Sequence, residues 1–144
     1  MQQNWGDKPF ADLVDSWYWG HTRLGPYSVV WFDGVDINGN EHASDYVARD
    51  GQILTTSCVG TKARPKGDNT QYPPVGGTPI PPSSFHVEID LGSEGVLEVD
   101  VGVTTTLFTL PGLFDRWIGT SKGGLKGQEL FSSGAFFEQF TLTS

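Results

Sequence analysis

The chain has 144 residues, which is the size of one domain, and its 37% apolar and 18% charged residues are typical of a globular protein. Its formal net charge of −8 repels phosphate backbones and anionic membrane surfaces, which argues against nucleic acid as a partner. A single cysteine excludes an internal disulfide. We find neither a signal peptide nor an apolar run of the roughly 20 residues that span a membrane. We therefore expect a single cytoplasmic domain over residues 1–144.

The first strongly patterned stretch runs from residue 4 to residue 32 and holds four of the five tryptophans. From Ser16 its side chains alternate with period two, as in a β-strand. One face of this predicted strand carries Trp17, Trp19 and His21, and the other carries Tyr18 and Gly20. Leu24-Gly25-Pro26 then interrupts the pattern.

The strongest predicted strand is 27–35, because it combines β-branched and aromatic residues with strict alternation. One face carries Tyr27, Val29, Trp31 and Asp33. Asn38-Gly39 and Asp50-Gly51 are hairpin signals, since these residue types tolerate the positive φ of tight turns. They predict an antiparallel meander of three strands.

Residues 60–84 are rich in proline and predict a long irregular loop. Strand patterns resume at 85–91 and 96–110, followed by a short apolar segment around Trp117, a glycine- and lysine-rich stretch at 120–128, and two final strands within 128–142. Eight to ten short strands with little helix predict an all-β, antiparallel, lipocalin-like barrel, with a β-sandwich as the alternative.

Few residues in this pattern suggest catalysis. The three histidines lack the short spacing of a metal site, so we expect no metal. Asp33 shares a face with Trp31 and is either a buried acid that needs a partner or a residue at a wet strand end. From pattern alone, the tryptophans fit a packed core and a ligand pocket equally well.

Three motifs add a resemblance to a known family. They are Asn4-Trp5-Gly6-Asp7, the run Val14-Asp15-Ser16-Trp17-Tyr18-Trp19-Gly20-His21, and Leu24-Gly25-Pro26-Tyr27-Ser28 with Trp31-Phe32-Asp33. With the closing Phe137-Glu138-Gln139-Phe140, they resemble the second, lipocalin-like half of the fungal Diels–Alderases, in the carotenoid-hydratase-like family.

The resemblance implies intramolecular [4+2] cycloaddition of an apolar polyene in secondary metabolism, without a metal or cofactor. Substrate would be folded against aromatic walls, here Trp17, Trp19, Trp31, Tyr27 and Trp117. A donor to the substrate carbonyl would be Lys126, Lys122 or His21. The family's first domain precedes its Asn-Trp-Gly motif, so we expect either a self-sufficient barrel or one that works with a missing N-terminal domain or as a homo-oligomer.

Two other functions fit the same residues. A lipocalin-like carrier would bind an apolar small molecule without turnover. An alkene hydratase or isomerase would use an acid such as Asp33.

Overall fold

The computed structural model describes residues 6–77 and 80–142, so the Asn4-Trp5 part of the resemblance lies outside it. Its strands form one antiparallel sheet in the order β4-β3-β2-β1-β9-β8-β7-β6-β5. The strands are β1 (Val14–Leu24), β2 (Tyr27–Asp36), β3 (Glu41–Arg49), β4 (Gln52–Thr55), β5 (Thr61–Lys66), β6 (Ser84–Asp90), β7 (Val96–Leu110), β8 (Phe114–Leu125) and β9 (Phe131–Thr141). Two single-turn 3-10 helices are Phe10–Asp12 and Gly92–Glu94.

The sheet curls into an incomplete barrel, which confirms the predicted all-β, lipocalin-like fold. The curl brings the edge strand β5 back against β2 and β3. The barrel is held together there by side chains: Asp33 of β2 accepts a hydrogen bond from the backbone N–H of Ala63 at 2.7 Å, and Thr61 donates to Asp45 of β3 at 2.7 Å. We call this junction the seam.

The concave face of the sheet is the hydrophobic core. Each large side chain buried there stabilises the fold by about 1.5–3 kcal/mol relative to exposure. The largest buried apolar side chains are Trp31, Trp117, Phe137, Leu24, Ile89, Leu97, Val29, Val47, Val87, Val99 and Val101. Gly20 is part of this packing, because a Cβ on it would overlap the Trp31 ring.

The structure confirms the predicted meander and corrects several boundaries. The predicted loop contains β5, whose Thr61, Ala63 and Pro65 face the core; Pro65 is tolerated because β5 is an edge strand. The segments at 114–118 and 120–128 are mostly one strand, β8, and the two final strands are one, β9. Among the described residues, no helix is long and apolar enough to cross a membrane.

Candidate functional site

A cleft of about 600 Å³ lies on the outer face of the sheet, across β8, β9, β1 and β2. We call it the aromatic cleft. Its volume is in the range of about 300–1,000 Å³ that is usual for small-molecule sites. It is lined by Phe10, Ala11, Trp17, Trp19, Phe32, Arg116, Phe136, Glu138, Phe140 and Leu142.

The cleft follows from the alternation of neighbouring strands. Side chains opposite each other in an antiparallel pair lie on the same face, and the register pairs Trp17 with Phe140 and Trp19 with Glu138. The Trp17 ring stacks on Phe140 with centroids 4.1 Å apart, and Phe140 stacks on Phe114 at 3.9 Å. The rings of Phe10 and Trp17 form a T-shaped pair with centroids 5.0 Å apart. The walls are therefore flat, apolar and fixed by mutual packing.

One ion pair is set into this apolar surface. Arg116 donates from Nε and Nη2 to Glu138 Oε2 at 2.9 and 2.7 Å, and the Trp17 indole N–H lies 3.4 Å from Glu138 Oε1. The Glu138 side chain is only 5% exposed, whereas Arg116 remains 42% exposed. The cleft thus offers a shielded carboxylate and an accessible guanidinium beside aromatic surfaces.

Three predicted site residues lie in or beside this cleft. Trp17 and Trp19 line it. His21 is adjacent, with its ring stacked on Phe136 at 5.6 Å, and partial burial lowers its pKa. Neutral imidazole is therefore favoured at neutral pH.

The structure separates the remaining predicted site residues from Trp17 and Trp19. Trp31 and Trp117 are 2% and 1% exposed on the concave face, where they pack in the core, so a single pocket lined by all four tryptophans is wrong. The reason is register: Trp19 pairs with Phe32, and Trp31 pairs with Gly20. Tyr27 and Asp33 also face the core.

Lys126 and Lys122 are exposed. The Lys126 ammonium lies 3.8 Å from a carboxylate oxygen of Glu98 on β7, and neither lysine lines the aromatic cleft. A role for either as a carbonyl donor stays a prediction.

The sequence did not point to the other eight residues that line the cleft: Phe10, Ala11, Phe32, Arg116, Phe136, Glu138, Phe140 and Leu142. A signal was present in β9, where Phe136, Glu138 and Phe140 alternate with Phe137 and Gln139. A buried acid between two aromatic residues on one strand face indicates a partner cation on the next strand.

Asp33 is the buried acid that the sequence singled out, and the structure places it in the seam. Arg64 Nη1 lies 2.9 Å from Asp33 Oδ2, and the Tyr72 hydroxyl lies 3.3 Å from Oδ1. Burial raises the pKa of Asp33 to about 6, although the hydrogen bond from Ala63 N–H acts in the opposite direction. The raised pKa comes from desolvation, which outweighs the neighbouring guanidinium.

This shift predicts a pH dependence of stability. An unfolded aspartate has a pKa of about 3.9, so the folded chain binds this proton more tightly. The contribution of Asp33 to stability should be largest below about pH 4 and should fall as the pH rises to about 6.

Urea unfolding of the native chain and of Asp33→Asn between pH 4 and pH 7 measures this contribution. We expect the free energy of unfolding of the native chain minus that of the variant to decrease with pH. A difference that grows with pH would mean instead that Arg64 dominates and lowers the pKa.

A second polar cluster lies away from the aromatic cleft and the seam. Among the described residues, one group of three has ligand atoms within 4.8 Å of each other: His86, Glu88 and Glu98, on the outer face of β6 and β7. His86 Nε2 lies 3.3 Å from Glu88 Oε1, and His86 Nδ1 lies 2.8 Å from Asp100 Oδ1. These contacts link His86 to carboxylates on both strands.

Two curated proteins are similar to the chain over nearly its whole length. It is 35% identical over 141 residues to the quinolone epoxide rearrangement protein penF of Penicillium thymicola. It is 35% identical over 143 residues to the quinolone epoxide rearrangement protein asqO of Emericella nidulans. These matches cover 96% and 95% of the chain, which spans 38% of the length of each relative. No protein-family model matches.

Solved structures agree with the fold. The crystal structure of CghA superimposes with a TM-score of 0.74 at 14% identity, covering 94% of the chain and 42% of CghA. The crystal structure of CghA with Sch210972 gives 0.71 at 13% identity, with 93% and 42% coverage. At this identity the likeness concerns the fold alone, and membership of the carotenoid-hydratase-like family stays a prediction. The chain is therefore similar in sequence to one region of fungal quinolone epoxide rearrangement proteins and similar in fold to one region of CghA.

Proposed function

We propose that the aromatic cleft binds an apolar small molecule of fungal secondary metabolism and promotes its rearrangement or cyclisation without a cofactor. The observation that carries this proposal is the Arg116–Glu138 pair, set into an aromatic cleft of about 600 Å³. The names of the two relatives support the reaction class, since both are quinolone epoxide rearrangement proteins.

The residues of the cleft suit such chemistry. Flat aromatic walls at Trp17, Trp19 and Phe136 offer stacking surfaces for a planar or polyunsaturated molecule and restrict its conformations, which lowers the entropic part of a unimolecular barrier. The accessible edge of Arg116 can donate to an epoxide or carbonyl oxygen as negative charge develops there. Glu138 holds the guanidinium in place by two hydrogen bonds.

Two finer versions of the reaction are open to test. The names of the relatives favour opening of a quinolone epoxide. The sequence resemblance to Diels–Alderases favours an intramolecular [4+2] cycloaddition of a linear polyene. Incubating the chain with a quinolone epoxide and, separately, with a polyene that carries a dienophile tests both, because each product has the mass of its substrate and a new retention time.

Binding to the cleft is tested by tryptophan fluorescence during titration with a 2-quinolone and with a conjugated polyene fatty acid. We expect Trp19→Ala to weaken binding about tenfold, since truncating a central aromatic anchor costs more than 1 kcal/mol. Tyr46→Ala is the matched control, because Tyr46 is an outward-facing aromatic residue of β3 that does not line the cleft. Its affinity should equal that of the native chain.

The outcomes separate the alternatives. Quenching with no product from either substrate favours a carrier over an enzyme. Incorporation of labelled water into a product favours a hydratase. Equal affinity of the native chain and Trp19→Ala for both ligands would place the binding site elsewhere.

A further inference from the structure

The polar cluster on β6 and β7 brings two like charges together. The register places Glu88 directly opposite Glu98 and His86 directly opposite Asp100, and all four side chains lie on the outer face of the sheet. Like charges at directly opposed positions destabilise an antiparallel pair. Among the residues that the structure describes, no lysine or arginine forms an ion pair with Glu88, and Lys126 lies 3.8 Å from Glu98. The repulsion between the two glutamates is therefore only partly compensated.

Asp100 fixes the orientation of the His86 ring. His86 Nδ1 lies 2.8 Å from Asp100 Oδ1, and a carboxylate oxygen only accepts hydrogen bonds, so Nδ1 carries a proton. In the neutral ring Nε2 is then unprotonated, and it faces Glu88 Oε1 at 3.3 Å and Glu98 Oε1 at 3.9 Å. A second ring proton or a metal ion between these three acceptors would satisfy them. A histidine whose other nitrogen is held by a carboxylate is the usual arrangement of a metal ligand.

The spacing of these atoms fits an ion of the size of zinc. Ligand atoms that lie about 2.0–2.1 Å from a tetrahedral zinc ion are about 3.3 Å apart. The distance from His86 Nε2 to Glu88 matches this value, and the three ligand atoms all lie within 4.8 Å of one another. The side chains of Glu88 and Glu98 are 49% and 31% exposed, so both can rotate towards an ion. Water can take the fourth position from the solvent side.

We propose that His86, Glu88 and Glu98 bind a structural zinc ion that joins β6 to β7, and that Asp100 is a positioning residue for the His86 ring. The imidazole nitrogen selects this class of metal, because Mg²⁺ and Ca²⁺ prefer oxygen ligands. Spacing along the chain does not reveal the site, since only the β6–β7 register brings Glu98 to His86. The inference does not rest on the proposed function, because neither strand lines the aromatic cleft.

Titration of the chain with zinc chloride, followed by calorimetry in a buffer that does not bind metals, tests the site. We expect a Kd of about 10 μM, since three ligands at a partly exposed site bind more weakly than a closed set of four. His86→Gln and Glu98→Gln should each weaken binding about tenfold or more. Mg²⁺ should bind about 100-fold more weakly than zinc. Zinc should raise the thermal midpoint of the native chain but not that of His86→Gln.

Two variants are controls for binding elsewhere on the surface. His42→Gln removes an exposed histidine that lies 3.0 Å from Asp36 but has no third ligand among the described residues. Cys58→Ser removes an exposed thiol. Neither substitution should change the affinity for zinc.

Asp100 is tested by a pair of variants. Asp100→Ala should weaken zinc binding about tenfold, because the His86 ring then loses the acceptor that orients it. Asp100→Asn keeps an oxygen acceptor for Nδ1–H, so it should restore part of the lost affinity. Native affinity in Asp100→Ala would contradict the positioning role.

Three results would overturn the zinc site. No binding heat at about 1 mM zinc would mean that a second ring proton, rather than a metal ion, lies between the three groups. Equal weakening by His42→Gln and His86→Gln would mean that zinc binds at scattered surface positions. Equal affinity for zinc and Mg²⁺ would mean that the carboxylates alone attract cations.

Discussion

Replacing Arg116 with methionine is expected to lower the free energy of unfolding by about 3 kcal/mol, because it leaves the carboxylate of Glu138 buried without its cation. The Trp17 indole N–H, at 3.4 Å, is the one other donor to Glu138 that the described residues provide, and it is too distant to compensate for the guanidinium. Chemical denaturation of the native chain and the variant at neutral pH gives the difference.

The double variant Arg116→Met with Glu138→Leu is the matched control. It removes both charges and keeps apolar volume in the aromatic cleft, so most of the lost stability should return. If the proposed function holds and Arg116 stabilises developing charge on a quinolone epoxide, both variants should also lose that activity. A loss of stability below about 1 kcal/mol in the single variant would show that Glu138 is well solvated.

Substituting Gly119 with alanine is the second change for which we expect a large effect. A Cβ at this position would overlap the backbone carbonyl oxygen of Gly102 on β7 and would lie 3.0 Å from the Phe137 ring. Backbone cannot rotate away as a side chain does, so β7 and β8 would have to separate. We expect a loss of about 3 kcal/mol or failure to fold, measured by thermal and urea unfolding.

Gly134→Ala is the control for this substitution. Gly134 lies on β9 beside β8, and a Cβ there would meet its nearest atom, the Gly119 carbonyl oxygen, at an ordinary 3.8 Å. Its stability should stay within about 0.5 kcal/mol of the native chain. Similar losses in both variants would mean that any glycine in this part of the sheet is required for flexibility, rather than Gly119 for close packing.

The sequence predicts the alternating faces of β1 and of β2, but it does not show which face of β1 lies on the same side of the sheet as which face of β2. The alternating pattern predicts both faces of each strand correctly, with Trp19 on one face of β1 and Trp31 on one face of β2. Combining those faces requires the register, and a shift by one residue moves every side chain to the opposite side. Gly25-Pro26 is a two-residue hairpin turn that pairs Leu24 with Tyr27, and this places Trp31 opposite Gly20. The resemblance implies one wall for Trp19 and Trp31, whereas this register places them on opposite faces of the sheet.

Other features depend on distant parts of the chain and have no local signature. β5 was hidden by Pro65, because proline is unfavourable in most strands and the sequence does not reveal an edge. The glycine-rich stretch at 120–128 does not predict a strand, yet Gly119, Gly123 and Gly124 all lie in β8. A Cβ on any of them would overlap backbone of β7 or of the segment before β9, so these glycines allow close approach. The Arg116–Glu138 pair joins residues 22 positions apart, so only the β8–β9 register brings them together.

The placement of the aromatic cleft outside the core has a consequence for how this protein can change over evolution. The cleft residues Trp19, Phe32 and Phe136 share no packing layer with Trp31, Val99 or Phe137, because the sheet lies between the two groups. Substitutions in the cleft therefore leave the core intact, so the cleft can change without the usual cost to folding. We expect related sequences to diversify on the outward positions of β1, β2 and β9 while their inward positions stay apolar.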